Sequence, residues 1–160
     1  MRPARAAASA TAPPVRVCLY GLGAIGCAVA RALLLTPGVE ITGAIDTDPT
    51  KAGRDLRSFL RLKKAPALTI SDDPVRELGR AAPHAVIHCT GSHLTEVAPQ
   101  LETIARAGVP CVSFAVGGVA DLIREDETGF LAKPGDVADL TRQVERSLTR
   151  DDRLLAILAR

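Results

Sequence analysis

Residues 15–35 read VRVCLYGLGAIGCAVARALLL, and this stretch decides the fold. Val15 to Tyr20 is an apolar run of strand type. It breaks at a glycine turn, and a helical pattern starts at once, with Ala24, Ile25, Ala28, Val29, Ala32 and Leu33 expected on one face. Gly21, Gly23 and Gly26 stand in the G-x-G-x-x-G spacing, and Asp46 follows twenty positions after the last of them. The first glycine permits the tight turn and the second lets backbone approach a pyrophosphate. The third lets helix and strand pack closely, so that free N–H groups at the helix start face the phosphates. Strand before, helix after and acid at the end of the next strand agree, which is the context that gives the motif meaning. The sequence therefore predicts a dinucleotide site, NAD or NADP, built from Gly21, Leu22, Gly23, Ala24, Ile25, Gly26 and Asp46.

Working outward, Thr36-Pro37-Gly38 ends the helix, and VEITGAI (39–45) predicts a second strand running into Asp46. A helix is expected over 54–62, then a short strand over 67–70. Asp73 as N-cap and Pro74 at the first helical position open another helix. AVIHC (85–89) is a continuous apolar run of the kind buried on both faces of a parallel sheet. A TGSHLT loop, a helix to about Ala107 with Gly108 as C-cap, and a strand CVSF behind Pro110 complete an alternating order. That order predicts a single α/β domain with a doubly wound Rossmann-type parallel sheet. Ligands of such sheets bind beyond the carboxyl ends of the strands, which puts Thr90, Gly91 and Ser92 on the same side as the glycine turn.

From about Ala115 the texture changes. The chain then reads as a short helix, a strand at 129–132 and a Pro134-Gly135 turn. A long helix capped by Asp136 runs to about Leu148, and a last helix spans 152–159. Val137, Leu140, Val144 and Leu148 recur at helical spacing and are expected against the sheet. The expected organisation is a disordered leader over 1–14, a dinucleotide-binding domain over 15–114, and an α/β tail over 115–160 packed on it or appended to it. The Arg/Ala-rich leader has no apolar core of a secretory signal; a transit peptide is its other reading.

Composition narrows the classes. At 160 residues the chain is long enough for one core, and it lacks Trp, so aliphatic residues must fill that core. A net charge of +2, with no basic run interleaved with aromatics, gives no footprint for nucleic acid. No apolar stretch approaches the roughly 20 residues of a membrane span. Cys18, Cys27, Cys89 and Cys111 form no C-x-x-C pair and read as small buried hydrophobes of a reducing, cytoplasmic compartment. No metal site is expected, and Walker and G-x-S-x-G patterns are missing.

Two family resemblances follow. Residues 15–114 resemble the N-terminal half of the dihydrodipicolinate reductase family, in particular its diaminopentanoate dehydrogenase-type members. The resemblance rests on YGLGAIG (20–26), GAIDTDPTKAGRDL (43–56) and HAVIHCTGSHLTEVAPQLETIARAGVPCVS (84–113). It implies that Asp46 binds the adenosine ribose and that Thr90, Gly91 and Ser92 lie under the nicotinamide side. It also implies that the chemistry belongs to a second domain carrying a His and a Lys, for which the sequence shows no counterpart. Residues from about 105 are similar to the C-terminal end of family 4 glycosyltransferases of the two-domain GT-B type. The matching positions are Gly108, Pro110, Gly117, Gly118, Gly129, Pro134, Gly135 and Asp136. The paired glutamates of that family's donor site are missing, Glu102 falling one position off.

The main functional reading is the NAD(P)-binding domain of an oxidoreductase that acts on a small molecule. The alternatives are a glycosyltransferase C-terminal fragment that binds a nucleotide-sugar, and a nucleotide-binding module without catalysis. Lys51 and Arg54 stand near enough to Asp46 in sequence to admit NADP beside NAD. No catalytic residue is assigned: His93 has a suitable side chain but no recognisable partner. Asp121, Arg124, Glu125 and Asp126 read as a solvated helix end or as sugar-site remnants. Homo-oligomerisation is left open.

Overall fold

The computed structural model describes residues 13–91, 93–115, 118–125 and 129–149. The expected leader, Ser92 and the helix over 152–159 lie outside them. The fold class is a parallel α/β arrangement of Rossmann type. The chain divides into two compact units. The first comprises the chain up to Asp73 together with Arg80–Cys89; the second comprises Pro74–Gly79 and the chain from Thr90 onward.

In the first unit, β1 (Val15–Tyr20) lies between β2 (Val39–Ile45) and β3 (Ala85–His88), all parallel, in the order β2-β1-β3. The chain leaves β1 for one neighbour and later returns to the other. The carboxyl end of β1 is therefore the point where the winding reverses, the place where such sheets open a crevice. The β1–β2 register shifts after Val17, so that Cys18 pairs with Gly43 and Tyr20 with Ile45. Asp46 thus emerges level with the glycine turn. α1 (Ala24–Leu33) packs on β1 and β2. Leu19, Leu22, Ala30, Ile41, Ala44, Leu56, Leu60, Ala65 and Ile70 form the core. A fully buried Leu or Ile in such a core contributes roughly 1.5–3 kcal/mol.

Several local expectations are corrected. α1 buries Gly26 and Ala30 and packs Cys27, Leu33 and Leu34 on the core, whereas Ala24, Ile25, Ala28 and Ala32 are exposed. The inward face is set by the close approach at Gly26, which an apolar count cannot weigh. The helix expected over 54–62 is the shorter α2 (Leu56–Leu60), capped by Asp55, whose carboxylate accepts from the N–H of Ser58. Residues 67–70 form no strand; Thr69 and Ser71 make single bridges to Asp55 and Ile45. There the N–H of Ser71 donates to Ala44 and that of Asp46 to Ser71. β3 is partly rather than fully buried. α3 (Pro74–Ala81) starts at Pro74, as expected.

In the second unit, α4 (Leu94–Arg106) leads to β4 (Cys111–Phe114). α5 (Val119–Leu122) connects β4 to its parallel partner β5 (Gly129–Ala132), and α6 (Val137–Thr149) packs on both strands. The helix end before β4 has Ala107 as C-cap, with Gly108 at φ 83° just beyond it. Asp136 caps α6 as expected, accepting from the N–H of Asp139. The buried face of α6 is not the expected one. Val137 is 69% exposed and Val144 is also exposed, while Asp139 is buried and Leu140 half-buried. Asp139 turns inward because its carboxylate accepts from the N–H of Lys133 at 2.8 Å and pairs with Arg142 at 2.7 Å. The side chain of Leu148 is outside the description.

Candidate functional site

The glycine turn is built from three different constraints. Gly21 has φ 95°, a conformation that side chains disfavour, and its N–H donates to Ile45, tying the turn to β2. A Cβ on Gly26 would overlap the carbonyl oxygen of Gly21 and would also meet Cβ of Cys89 at 3.6 Å. Helix α1 can therefore approach the turn only with glycine at that position. Gly23 differs: it is exposed in extended backbone, and a Cβ there would meet nothing within 4 Å. A structural reason for the glycine at 23 is missing, and the open space is what an anion would need.

Gly23 is the N-cap of α1, no side chain caps the helix, and its first turn holds no acid. The N–H of Cys27 makes the first intrahelical bond, to Gly23. The N–H groups ahead of it, at Ala24 and Ile25, thus lie before the hydrogen-bonded ladder and sit at the positive end of the helix dipole. Ile25 stands beside them with 71% of its surface exposed, an apolar side chain in water at the rim of the turn. Leu22 has another role. Its side chain is in the core and its N–H donates to Oδ2 of Asp46 at 2.7 Å, so it orients the carboxylate.

Asp46 is one of three buried acidic residues among those described, with 7% of its surface exposed. Burial pushes its carboxyl pKa up. The hydrogen bond from Lys51, the N–H groups of Asp48 and Leu22 and the ammonium charge outweigh that, so it lies below its ordinary value. Lys51 Nζ is 2.9 Å from Oδ2 of Asp46 and 3.5 Å from Oδ2 of Asp48, and its own pKa is raised by the bond to Asp46. Sequence proximity offered Lys51 and Arg54 equally. Lys51 reaches the carboxylate, while the guanidinium of Arg54 lies 5.0 Å above the ring of Phe59.

A dinucleotide fits these residues at both ends. The uncapped helix start with open space at Gly23 suits a pyrophosphate, and a carboxylate beyond β2 suits a ribose hydroxyl. Thr90 and Gly91 belong to the second unit, where Thr90 Oγ1 lies 2.8 Å from Gln100 Oε1 and Gly91 is exposed beside Glu96. Ser92 lies outside the described residues. His93 is the exposed N-cap residue of α4 without a side-chain capping bond, and His88 packs edge-on against Tyr20 at 5.2 Å. Cys89, expected only as a small buried hydrophobe, is half-buried and is a neighbour of the turn. Its N–H donates to Tyr20 and its side chain borders Gly26. A continuous strand pattern could have flagged its position but not its contact.

In the second unit, Glu125 accepts from the N–H of Leu131 and pairs with Arg146, whose guanidinium also lies 5.0 Å above the buried ring of Phe130. Glu125 therefore holds β5 and α6. Among the described residues no group of His, Cys, Asp or Glu could hold a metal, and no helix is long and apolar enough to cross a membrane.

Comparison with known proteins localises one similarity to the C-terminal part of the chain. Residues 100–157 match the family model of glycosyl transferases group 1. A curated relative, the 2-deoxystreptamine N-acetyl-D-glucosaminyltransferase of Niallia circulans, is 38% identical over 68 residues. That alignment takes in 42% of this chain and 18% of the relative. Among solved structures, the amine dehydrogenase from Mycobacterium smegmatis superposes with a TM-score of 0.61 at 30% identity, over 74% of this chain and 38% of that one. The chain thus spans well under half of either protein. It combines a Rossmann-type fold like that of a dehydrogenase with a C-terminal segment similar to group 1 glycosyltransferases.

Proposed function

We propose that the first unit binds a dinucleotide, NAD or NADP, as in the N-terminal half of a dihydrodipicolinate reductase-like oxidoreductase. The observation that carries this is Gly23, an exposed N-cap glycine with open space over an uncapped helix start, in the same unit as the buried carboxylate of Asp46. The N–H groups of Ala24 and Ile25 hold the pyrophosphate, Asp46 takes the adenosine ribose, and Ile25 offers an apolar surface to a ring. Bound NAD(P) supplies a hydride acceptor or donor at its nicotinamide. The chain's own contribution is to bind and orient it, with Thr90, Gly91 and Ser92 assigned to the nicotinamide side. The domain reading goes with it: dinucleotide binding over 15–114 and a glycosyltransferase-like tail over 115–160. The substrate is a small molecule, and the compartment is the cytoplasm.

A second reading is favoured by the match of residues 100–157 to group 1 glycosyltransferases and by the Niallia circulans relative. On it, the chain is a fragment of such an enzyme, and its ligand is a nucleotide-sugar. A thermal-shift series on the full chain with NADH, NADPH, UDP-sugars and GDP-sugars separates the two. Stabilisation by NADH or NADPH, lost in Gly23→Val, supports the first reading. Stabilisation by a nucleotide-sugar alone supports the second and refutes the first.

A further inference from the structure

The acid at the end of β2 does not stand free, and the way it is held bears on which dinucleotide it selects. Oδ2 of Asp46 accepts two hydrogen bonds, from the N–H of Leu22 at 2.7 Å and from Lys51 Nζ at 2.9 Å. Oδ1 accepts the N–H of Asp48 at 3.0 Å. A carboxylate offers about four lone-pair sites, two per oxygen. Among the described residues three are taken, which leaves one on Oδ1. An unmodified adenosine ribose presents two hydroxyls, so Asp46 as held can accept from one of them.

The charge is altered as much as the hydrogen bonding. An ammonium 2.9 Å from the carboxylate cancels most of the field that a lone Asp46 would direct at a 2′-phosphate. Lys51 is also not locked to Asp46 alone. It is 3.5 Å from Oδ2 of Asp48, its side chain is 23% exposed, and an ammonium has three protons to donate. The third proton, beyond those directed at the two carboxylates, is available to an incoming oxygen. Asp48 is fixed in turn, since its Oδ1 accepts from both the N–H and the hydroxyl of Thr50. The three groups therefore form one cluster with the two acids bridged by the lysine, and a single substitution changes its net charge by one.

Resting on the dinucleotide reading above, we infer that Lys51, bridging Asp46 and Asp48, is the residue that sets cofactor selectivity and makes the site accept the 2′-phosphate of NADPH alongside NADH. In this role Lys51 acts twice. It blunts the repulsion of the phosphate by Asp46, and it donates a charge-assisted hydrogen bond to the phosphate once the dinucleotide is seated.

The test is the ratio of dissociation constants for NADPH and NADH, titrated by nicotinamide fluorescence on the full chain. Wild type should bind both within about tenfold of each other. Lys51→Met should shift the ratio toward NADH by at least tenfold, with the NADH constant itself changing less than the NADPH constant. Lys51→Arg retains the charge and should keep the ratio near that of wild type, and it carries the comparison if the methionine variant fails to fold. Asp48→Asn, which removes a negative charge without touching Asp46, should shift the ratio toward NADPH. Ratios that stay fixed in Lys51→Met, or that move toward NADPH, overturn the role of Lys51 and leave the dinucleotide reading standing. Wild type that binds neither cofactor overturns both.

Discussion

Gly23→Asp separates a ligand-binding glycine from a structural one, because it moves stability and affinity in opposite directions. Position 23 is extended and open, so an aspartate fits without backbone strain. As N-cap of α1, where no side-chain cap exists, its carboxylate can accept from the free N–H groups of the first turn. The gain has three sources: a few tenths of a kcal/mol from the cap, a similar amount from the helix dipole, and a loss of unfolded-state freedom. Together they stabilise by about 1 kcal/mol, or roughly 2–4 °C in Tm at this chain length. The same carboxylate occupies the space over the helix start and repels a pyrophosphate. One unit charge at about 5 Å and an effective dielectric of about 20 costs roughly 3 kcal/mol, about two orders of magnitude in Kd. Differential scanning fluorimetry reads the first effect and fluorescence titration with NADH the second. A variant with a raised Tm and unaltered NADH affinity refutes the placement of the phosphates. A lowered Tm refutes the N-cap assignment.

Gly26→Ala has no open space to use: its Cβ overlaps the Gly21 carbonyl, and Tm should fall by roughly 6–12 °C for a cost of about 3 kcal/mol, read by thermal melts. Asp46 has a lowered carboxyl pKa, so its contribution to stability is present above the unfolded-state value and is lost as pH falls through the folded one; the Tm gap between wild type and Asp46→Asn should close on acidification below about pH 4. Phe130→Ala empties a fully buried site under Arg146 and should cost about 3–5 kcal/mol, with hydrogen exchange rising first across β4, β5 and α6. Asp139→Ala leaves the Lys133 N–H without its acceptor and should lower Tm, whereas Val137→Ala, at an exposed position, should leave it unchanged within about 1–2 °C.

The glycine turn, β1, β2, β5 and the acid at position 46 were legible because each follows from chain-local rules: a positive-φ turn, an apolar run, an N-cap, a strand end. What escaped the sequence depends on which polar, aromatic or backbone partner a residue meets once folded, a choice that apolar spacing does not register. The segment 67–70 carries strand-like residues, but its one bridge is that of Thr69 to Asp55, and backbone bonds tie it to the loop and helix start at 53–56. Apolar spacing does not give the buried face of α6 because it cannot anticipate a buried aspartate, and Asp139 is buried by the backbone N–H of Lys133 that it serves. Sequence distance alone does not distinguish Lys51 from Arg54; the ring of Phe59, which holds the arginine, does. Of the candidate site, the turn and Asp46 come together in one unit, and Thr90 and Gly91 belong to the other.

The strand–helix–strand–helix run from β4 to α6 satisfies much of its own polar chemistry. β4 and β5 pair with each other, the N–H of Ala115 donates to Ala132, Glu125 serves Leu131, and Asp139 serves Lys133. A segment with this property can be cut from one ancestor and joined to another without leaving those backbone groups unpaired in the recipient. The stretch that matches group 1 glycosyltransferases, 100–157, takes in this run whole. A joint placed inside the run would separate donors from acceptors that meet within it. The bonding within the run thus marks where a joint in the chain would leave these backbone pairs intact.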